Sequence, residues 1–296
     1  MRIEKLDVPP CVLGEGPVWS EREQRLYFVD IVSRRIHAYR PGRGGASHDA
    51  SFESWQLDRF TGSLAECRSG GLIATHQDRI IWFDPARGLS SLEEVAVLES
   101  DRPANRLNDG KVDGAGRFWV GSMQHDEQAR NGRLWCVTAD GKARAVRDGI
   151  GVSNSISFDP ARGRMYFADS MTKVIEWTTL DGAGLPTTWQ PLARTDRGVP
   201  DGSCTDSEGY LWNAEWGGHR VVRYAPTGEI DRVLDLPVSR PSCPTFGGPD
   251  LRTLFVTSAR YLMSSPDEDR QDVCAGSLYA IELDDVQGVP ANLFAL

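Results

Sequence analysis

The stretch EGPVWSEREQRLYFVD, from Glu15 to Asp30, contains two short apolar runs separated by a charged turn. Short runs that are rich in aromatic and β-branched side chains and flank a polar turn are typical of a β-hairpin. Comparable stretches begin at five later positions: Ser63, Asn108, Asn154, Asp201 and Cys243. The six starting points lie 42 to 48 residues apart, which is close to the length of one blade of a β-propeller.

Each hairpin is followed by two further strand-like segments. The third run has the sequences RIHAYRP, RIIWFDP, GRLWCVT, VIEWTTL, RVVRYAP and GSLYAIE in the six repeats, and a more polar run such as FESWQL supplies the fourth. Four strands in each of six repeats, with no sustained helical spacing, predict an all-β fold: a six-bladed β-propeller that spans residues 1–296 as a single domain. Because an isolated blade cannot bury both of its faces, the ring must close. We expect a strand from Arg2 to Val8 to pair with C-terminal segments.

The charge of the chain argues against nucleic acid as a partner. The formal net charge is -9, and the 33 Lys and Arg residues are scattered, whereas phosphate binding needs a basic surface. No apolar run approaches the roughly 18 residues of a transmembrane helix, and the N-terminal residues lack the apolar stretch of a signal peptide. We therefore expect a cytoplasmic protein with no nucleic-acid or membrane partner, either monomeric or weakly homo-oligomeric.

The six cysteines lie far apart in the sequence, without a CxxC pair. This spacing favours reduced, buried thiols over disulfide bonds or a zinc–cysteine site.

The starting residues of the six repeats predict a polar ring around the propeller axis. The first strand of each blade lines the central channel, so equivalent residues on these strands converge. The ring would contain two carboxylates, two amides, a hydroxyl and a thiol: Glu15, Ser63, Asn108, Asn154, Asp201 and Cys243. Two adjacent carboxylates raise each other's pKa and repel unless a cation lies between them.

The donor types of this ring indicate one divalent metal ion. Carboxylate and amide oxygens without imidazole favour calcium, magnesium or manganese, and zinc also accepts carboxylates, so the identity of the ion stays open. The alternative is that each Asp, Asn or Glu beside a glycine only bonds its own backbone at a strand end. Four oxygen donors at equivalent positions favour the metal, and we interpret Ser63 and Cys243 as packing residues.

Several motifs carry a resemblance to a known family: LGEGPVW from Leu13, RLNDGKVDGAGRFWVGSM from Arg106, VPDGSCTDSEGYLW from Val199 and RPSCPTFGGPDLRTLFVTSAR from Arg240. On these motifs the chain resembles the SMP-30/gluconolactonase family, which includes regucalcin and bacterial sugar lactonases. The resemblance implies a six-bladed propeller with one divalent metal held by a Glu, an Asn and an Asp. These ligands fall on Glu15, Asn154 and Asp201. One departure is Ser155, where the family usually has glycine.

The resemblance also implies a reaction, the hydrolysis of a sugar lactone to the aldonic acid. The metal would act as a Lewis acid on the lactone carbonyl, with a bound or nearby water as nucleophile, and Asp201 would also serve as general base. Sugar-binding residues of the family fall on Arg106 and Asn108, and an acidic sugar contact falls on Asp126. Two other functions stay open: a metal-dependent esterase or phosphotriesterase on the same scaffold, and a non-enzymatic calcium-binding regulatory propeller.

Overall fold

A computed structural model of the chain describes residues 2–42, 49–261 and 272–296. In these residues 24 strands form six four-stranded sheets, which confirms the predicted six-bladed β-propeller. The predicted single domain over residues 1–296 includes residues 1, 43–48 and 262–271, which lie outside the described residues. None of the described helices has the length and apolar character needed to cross a bilayer.

Blades I to V each use four consecutive strands. Blade I contains β2 (Gly14–Ser20), β3 (Arg25–Asp30), β4 (Arg35–Arg40) and β5 (Ser51–Gln56). Blade II contains β6 (Leu64–Glu66), β7 (Leu72–His76), β8 (Arg79–Phe83) and β9 (Glu93–Val97). Blade III contains β10 (Asn105–Val112), β11 (Phe118–Gln124), β12 (Gly132–Val137) and β13 (Ala143–Ile150).

The remaining blades follow the same order, with one exception. Blade IV contains β14 (Ser153–Asp159), β15 (Arg164–Asp169), β16 (Val174–Thr179) and β17 (Gln190–Arg194). Blade V contains β18 (Val199–Thr205), β19 (Leu211–Trp216), β20 (Arg220–Tyr224) and β21 (Ile230–Asp235). Blade VI contains β22 (Pro241–Gly247), β23 (Thr253–Ser258), β24 (Tyr279–Glu282) and β1 (Arg2–Lys5). Single 3₁₀ turns occupy Gly88–Ser91 and Ser170–Thr172.

The exception in blade VI closes the ring. Strand β1, from the N-terminus, pairs antiparallel with β24, so that Arg2 lies opposite Glu282 and Lys5 opposite Tyr279. This confirms the predicted pairing of an N-terminal strand with a C-terminal segment. The seam between blades VI and I is also bridged on the inner side, where the Ser242 hydroxyl donates to the carbonyl oxygen of Gly14.

Aromatic side chains fill the spaces between adjacent blades. Trp19 of blade I stacks on Phe255 of blade VI with ring centroids 5.6 Å apart. Trp212 of blade V meets the edge of Phe246 at 5.8 Å. Its indole nitrogen is buried but donates to Asp206 Oδ2 at 2.9 Å, so the large ring is buried without leaving a polar atom unpaired.

Five of the six innermost strands carry a β-bulge near the same level of the channel. In blades I, III, IV, V and VI the register against the second strand shifts by one residue. The pairs of residues that oppose a single partner are 16–17, 108–109, 155–156, 201–202 and 242–243. A bulge bends the strand and changes the direction of its side chains, so these strands present polar groups to the axis at one end.

The C-terminal segment crosses the opposite end of the channel, a feature that the repeat pattern did not predict. The Phe294 amide donates to the carbonyl oxygen of Glu66 at 2.8 Å, and the Arg68 amide donates to that of Phe294 at 2.9 Å. The Asn292 side chain donates to the carbonyl oxygen of Val112 at 3.1 Å. The segment thereby ties blades II and III together beneath the ring, with the Phe294 side chain fully buried.

We expect Phe294→Ala to lower the free energy of unfolding by about 3 to 5 kcal/mol, because it leaves a cavity between packed strands. Urea-induced unfolding followed by Trp fluorescence measures the change. Leu296→Ala is the matched control: this side chain is 38% exposed, and its loss should change stability by no more than about 0.5 kcal/mol. Equal effects of the two substitutions would show that the segment does not pack into the ring.

Candidate active site

A cavity of about 190 Å³ opens at the end of the channel where the bulges lie. Five of the residues predicted from the sequence line it: Glu15, Arg106, Asn108, Asn154 and Asp201. All five side chains are buried, with relative exposures of 5% to 8%. The structure thus brings together residues from blades I, III, IV and V that are up to 186 positions apart in the sequence.

Local backbone geometry explains how the candidate metal ligands reach the axis. Glu15 and Asn154 each precede a bulge, and the next residue in each strand has a positive φ, 53° at Gly16 and 59° at Ser155. Asp201 is itself a bulge residue of β18. The positive φ that follows Glu15 and Asn154, and the extra residue in each bulge, interrupt the regular alternation of side chains between the two faces of the sheet. The three side chains can therefore point to the axis.

The carboxyl groups of Glu15 and Asp201 lie close enough to hydrogen-bond to each other. Burial, reinforced by the charge of Asp109, raises the pKa of Glu15 to about 8. Burial and the Glu15 charge raise the pKa of Asp201 well above its usual value. Two desolvated carboxylates in contact are unfavourable unless a proton or a cation is shared between them.

A chain of hydrogen bonds fixes the amide of Asn154. Its Oδ1 accepts from Asn108 Nδ2 at 3.1 Å, and its Nδ2 donates to Ser170 Oγ at 2.9 Å. The Ser170 hydroxyl in turn donates to the carbonyl oxygen of Pro200 at 2.6 Å. Because each donor has a defined acceptor, the amide oxygen of Asn154 is held in one orientation. Ser170 directly follows β15, and no motif in the sequence indicates its role.

Arg106 provides the positive charge in the wall of the cavity. Its Nη1 donates to Asn108 Oδ1 at 2.5 Å and to the carbonyl oxygen of Leu107 at 3.3 Å. Burial lowers the pKa of the guanidinium, and the charges of Glu127, Glu15 and Asp201 oppose that decrease.

The acidic residues of the loop after β11 have different positions. Asp126 is exposed and lies outside the residues that line the cavity, whereas its neighbour Glu127 is half-buried and lines it. Glu127 has a positive φ of 59°, and its charge acts on Arg106. The sequence alone does not show which of two adjacent acids a strained turn directs inward.

The remaining ring positions have structural contacts. Ser63 Oγ donates to the carbonyl oxygen of Asn108 at 2.8 Å and so links blade II to blade III. Cys243 is buried beside the channel, where its thiol makes a long contact of 3.8 Å with the carbonyl oxygen of Pro244. Neither residue lines the cavity.

Carboxyl groups are concentrated around the site. Glu15, Asp109, Glu127 and Asp201 interact electrostatically in and beside the cavity. The charges of Arg106 and Lys111 oppose the rise in the pKa of Glu15 and Asp109, respectively. The donor set of two carboxylates and one amide oxygen fits a hard divalent ion such as calcium, magnesium or manganese, and also zinc.

This fold and cavity agree with a known family. Residues 13–260 match the sequence pattern of the family described as "SMP-30/Gluconolactonase/LRE-like region". The chain belongs to this family.

Similar proteins cover nearly the whole chain. A 6-deoxy-6-sulfogluconolactonase of Pseudomonas putida is 36% identical over 97% of this chain and 96% of its own length. A pentonolactonase of Haloferax volcanii is 33% identical over 88% of this chain and 86% of its own length. The crystal structure of a calcium-binding regucalcin from Agrobacterium tumefaciens superposes with a TM-score of 0.90 at 29% identity, covering 99% of this chain and 97% of that one.

The serine at position 155 combines a strained backbone with three hydrogen bonds. Its Oγ donates to the carbonyl oxygen of Asp201 at 2.7 Å, accepts from Asn213 Nδ2 at 2.9 Å and lies 3.0 Å from Ser203 Oγ. The equivalent turn in blade I uses Gly16. Ser155 therefore ties blade IV to the strand that carries Asp201.

We expect Ser155→Ala to lower the free energy of unfolding by about 1 to 3 kcal/mol, because it removes these buried hydrogen bonds and keeps the unfavourable φ. Ser155→Gly loses the same bonds but relieves the backbone, so it should be about 1 kcal/mol more stable than the alanine variant. Urea unfolding of both variants gives the difference. An alanine variant as stable as the glycine variant would contradict strain at this position.

Proposed function

We propose that the chain is a lactonase that opens the ring of a sugar lactone to give the corresponding aldonic acid. The observation that carries the proposal is the convergence of Glu15, Asn154 and Asp201 with Arg106 and Asn108 in one cavity. The family membership and the names of the lactonase relatives support the same reaction.

Glu15, Asn154 and Asp201 are the residues that would hold a divalent cation. When bound, the ion supplies a Lewis acid that polarises the lactone carbonyl and stabilises negative charge on its oxygen. Asn108 and Ser170 hold the side-chain oxygen and nitrogen of Asn154, respectively. The amide oxygen of Asn154 therefore needs little reorganisation to bind the ion. Outer hydrogen bonds of this kind tune the affinity of a metal site.

Hydrolysis adds water to the carbonyl carbon and breaks its bond to the ring oxygen. In the proposed mechanism a carboxylate oxygen of Asp201 accepts one proton from the water and returns it to the ring oxygen as that atom leaves. No covalent bond to the protein forms. The burial of Asp201 places this proton transfer in a region of low polarity, where electrostatic effects are strong.

The walls of the cavity indicate a polyhydroxylated substrate. Arg106 and Asn108 offer donors and acceptors to ring hydroxyls and to the lactone oxygens, and an acidic side chain of the loop after β11 offers further acceptors. Met123 and Trp216 add apolar surface to the same cavity, which suits the carbon face of a sugar ring. This polar wall favours a sugar lactone over an apolar aryl ester.

Asp201→Ala is expected to remove the axial ion and to reduce kcat/KM for aldonolactones by at least about 100-fold, because one residue supplies both a donor and the general base. Elemental analysis of the dialysed protein and a pH-stat assay measure the two effects. Asp235→Ala, which changes an exposed aspartate of the same blade, is the control and should resemble the wild type. Retained lactonase activity in the Asp201 variant would exclude this role.

A matched pair of variants distinguishes the two acids of the loop. Because Glu127 lines the cavity and Asp126 does not, we expect Glu127→Gln to raise KM about tenfold through a weakened hydrogen bond to a substrate hydroxyl. Asp126→Asn should change KM by less than about twofold. Steady-state kinetics on pentono- and hexonolactones measure both values. The opposite ranking would favour Asp126, as the family resemblance implies.

A further inference from the structure

Three side chains of types that can ligate a metal lie together at the edge of blade I, outside the residues that line the cavity. Ligand atoms of Cys11, Asp30 and His37 all lie within 4.8 Å of one another. The three residues are buried, with exposures of 4%, 3% and 6%. They are separated by 19 and 7 positions in the sequence, which is not a spacing typical of a metal-binding motif.

The group lies at the seam where the ring closes. Cys11 belongs to the segment between β1 of blade VI and β2 of blade I, and its amide donates to the carbonyl oxygen of Gly276 at 2.8 Å. Asp30 ends β3 and accepts from the amides of Val12 at 2.8 Å and Leu13 at 3.1 Å. The three side chains therefore connect the closing segment to the sheet of blade I.

His37 has a buried nitrogen without a partner. Its ring lies in β4 between Phe28 and Phe52, at centroid distances of 5.0 and 5.1 Å. Among the described residues no group hydrogen-bonds to its Nδ1. Leaving a buried polar atom unpaired costs free energy. Coordination of a metal ion is one way in which a histidine ring nitrogen gains a partner.

The corresponding carboxylate of blade IV has a cationic partner. Asp169 ends the corresponding strand β15 and likewise accepts from two preceding amides, those of Gly151 and Val152. It also pairs with a cation, since Arg130 Nη2 lies 2.8 Å from its Oδ2. In blade I the thiol of Cys11 and a ring nitrogen of His37 lie within 4.8 Å of the equivalent carboxylate.

We propose that Cys11, Asp30 and His37 bind a second divalent ion, of the zinc type, that fastens the ring-closing segment to blade I. One thiolate, one imidazole and one carboxylate form a donor set typical of zinc, with a fourth position left for water. Binding converts the Cys11 thiol to thiolate and releases one proton to solvent for each ion bound. This site differs from the axial site, whose protein donors are oxygens only. Cysteine spacing does not indicate such a site, because its ligands come from one cysteine and two other residue types.

Cobalt(II) is a suitable probe, because only the Cys11 site pairs the ion with a thiolate in this proposal. Metal-free protein is titrated with cobalt(II), and the thiolate-to-cobalt charge-transfer absorption is recorded together with the number of ions bound. We expect two ions in the wild type, with the thiolate absorption. Cys11→Ala should lose the absorption and one ion, and His37→Phe, which preserves the aromatic packing, should weaken the same binding at least about 100-fold.

Two controls identify the thiol. Cys243→Ala removes the buried thiol beside the channel and should keep the absorption, as should Asp201→Ala, which is expected to lose the axial ion. Absence of the absorption in the wild type, its persistence in Cys11→Ala, or its loss in Cys243→Ala would each overturn the proposal.

Thermal unfolding provides a readout that does not depend on absorption. Zinc should raise the unfolding midpoint of Asp201→Ala, in which only the proposed second site is intact, but not that of the double variant Asp201→Ala/His37→Phe, because an ion bound only by the folded chain stabilises it. Equal zinc shifts in Asp201→Ala and in the double variant would also overturn the proposal. Neither measurement requires lactonase activity, so the result is independent of the proposed function.

Discussion

The hydrogen bonds between β1 and β24 are the constraint on which the rest of the structure depends. A propeller blade cannot bury both faces alone, and a ring of sheets is stable only when its first and last members meet. Here the strand Arg2–Lys5 supplies the outer strand of blade VI, so the two ends of the chain are held in one sheet. The convergence of residues from four blades on the axis follows from that closure.

The closed ring also creates the electrostatic problem that defines the site. Inner strands that meet at an axis bring Glu15, Asp109 and Asp201 into a buried space, where carboxylates repel. The charges of Arg106 and Lys111 oppose the rise in the pKa of two of these groups. The fixed amide of Asn154 brings a further oxygen donor to the same cavity, and oxygen donors of these types are ones that a hard divalent cation accepts.

Much of this could be predicted from the sequence, because the repeat makes positions comparable. Equivalent strand starts identified Glu15, Asn108, Asn154 and Asp201, and all four line the cavity. The repeat carries no information about segments that occur once. The crossing of the C-terminal segment and the choice between Asp126 and Glu127 depend on local turns and tertiary packing. The Cys11 group combines a linker with two strands, so only the folded chain brings it together.

The bulges have a consequence for where such a protein can diversify. The bulge residues Asn108 and Asp201 face the cavity and belong to the proposed site, and Gly202 has no room for a side chain beside Cys243. These positions are therefore constrained as strongly as the blades that carry them. The loop after β11, which supplies Glu127 to the same cavity, is not held in the strand ladder, so a change of specificity can arise there while the ring keeps its register.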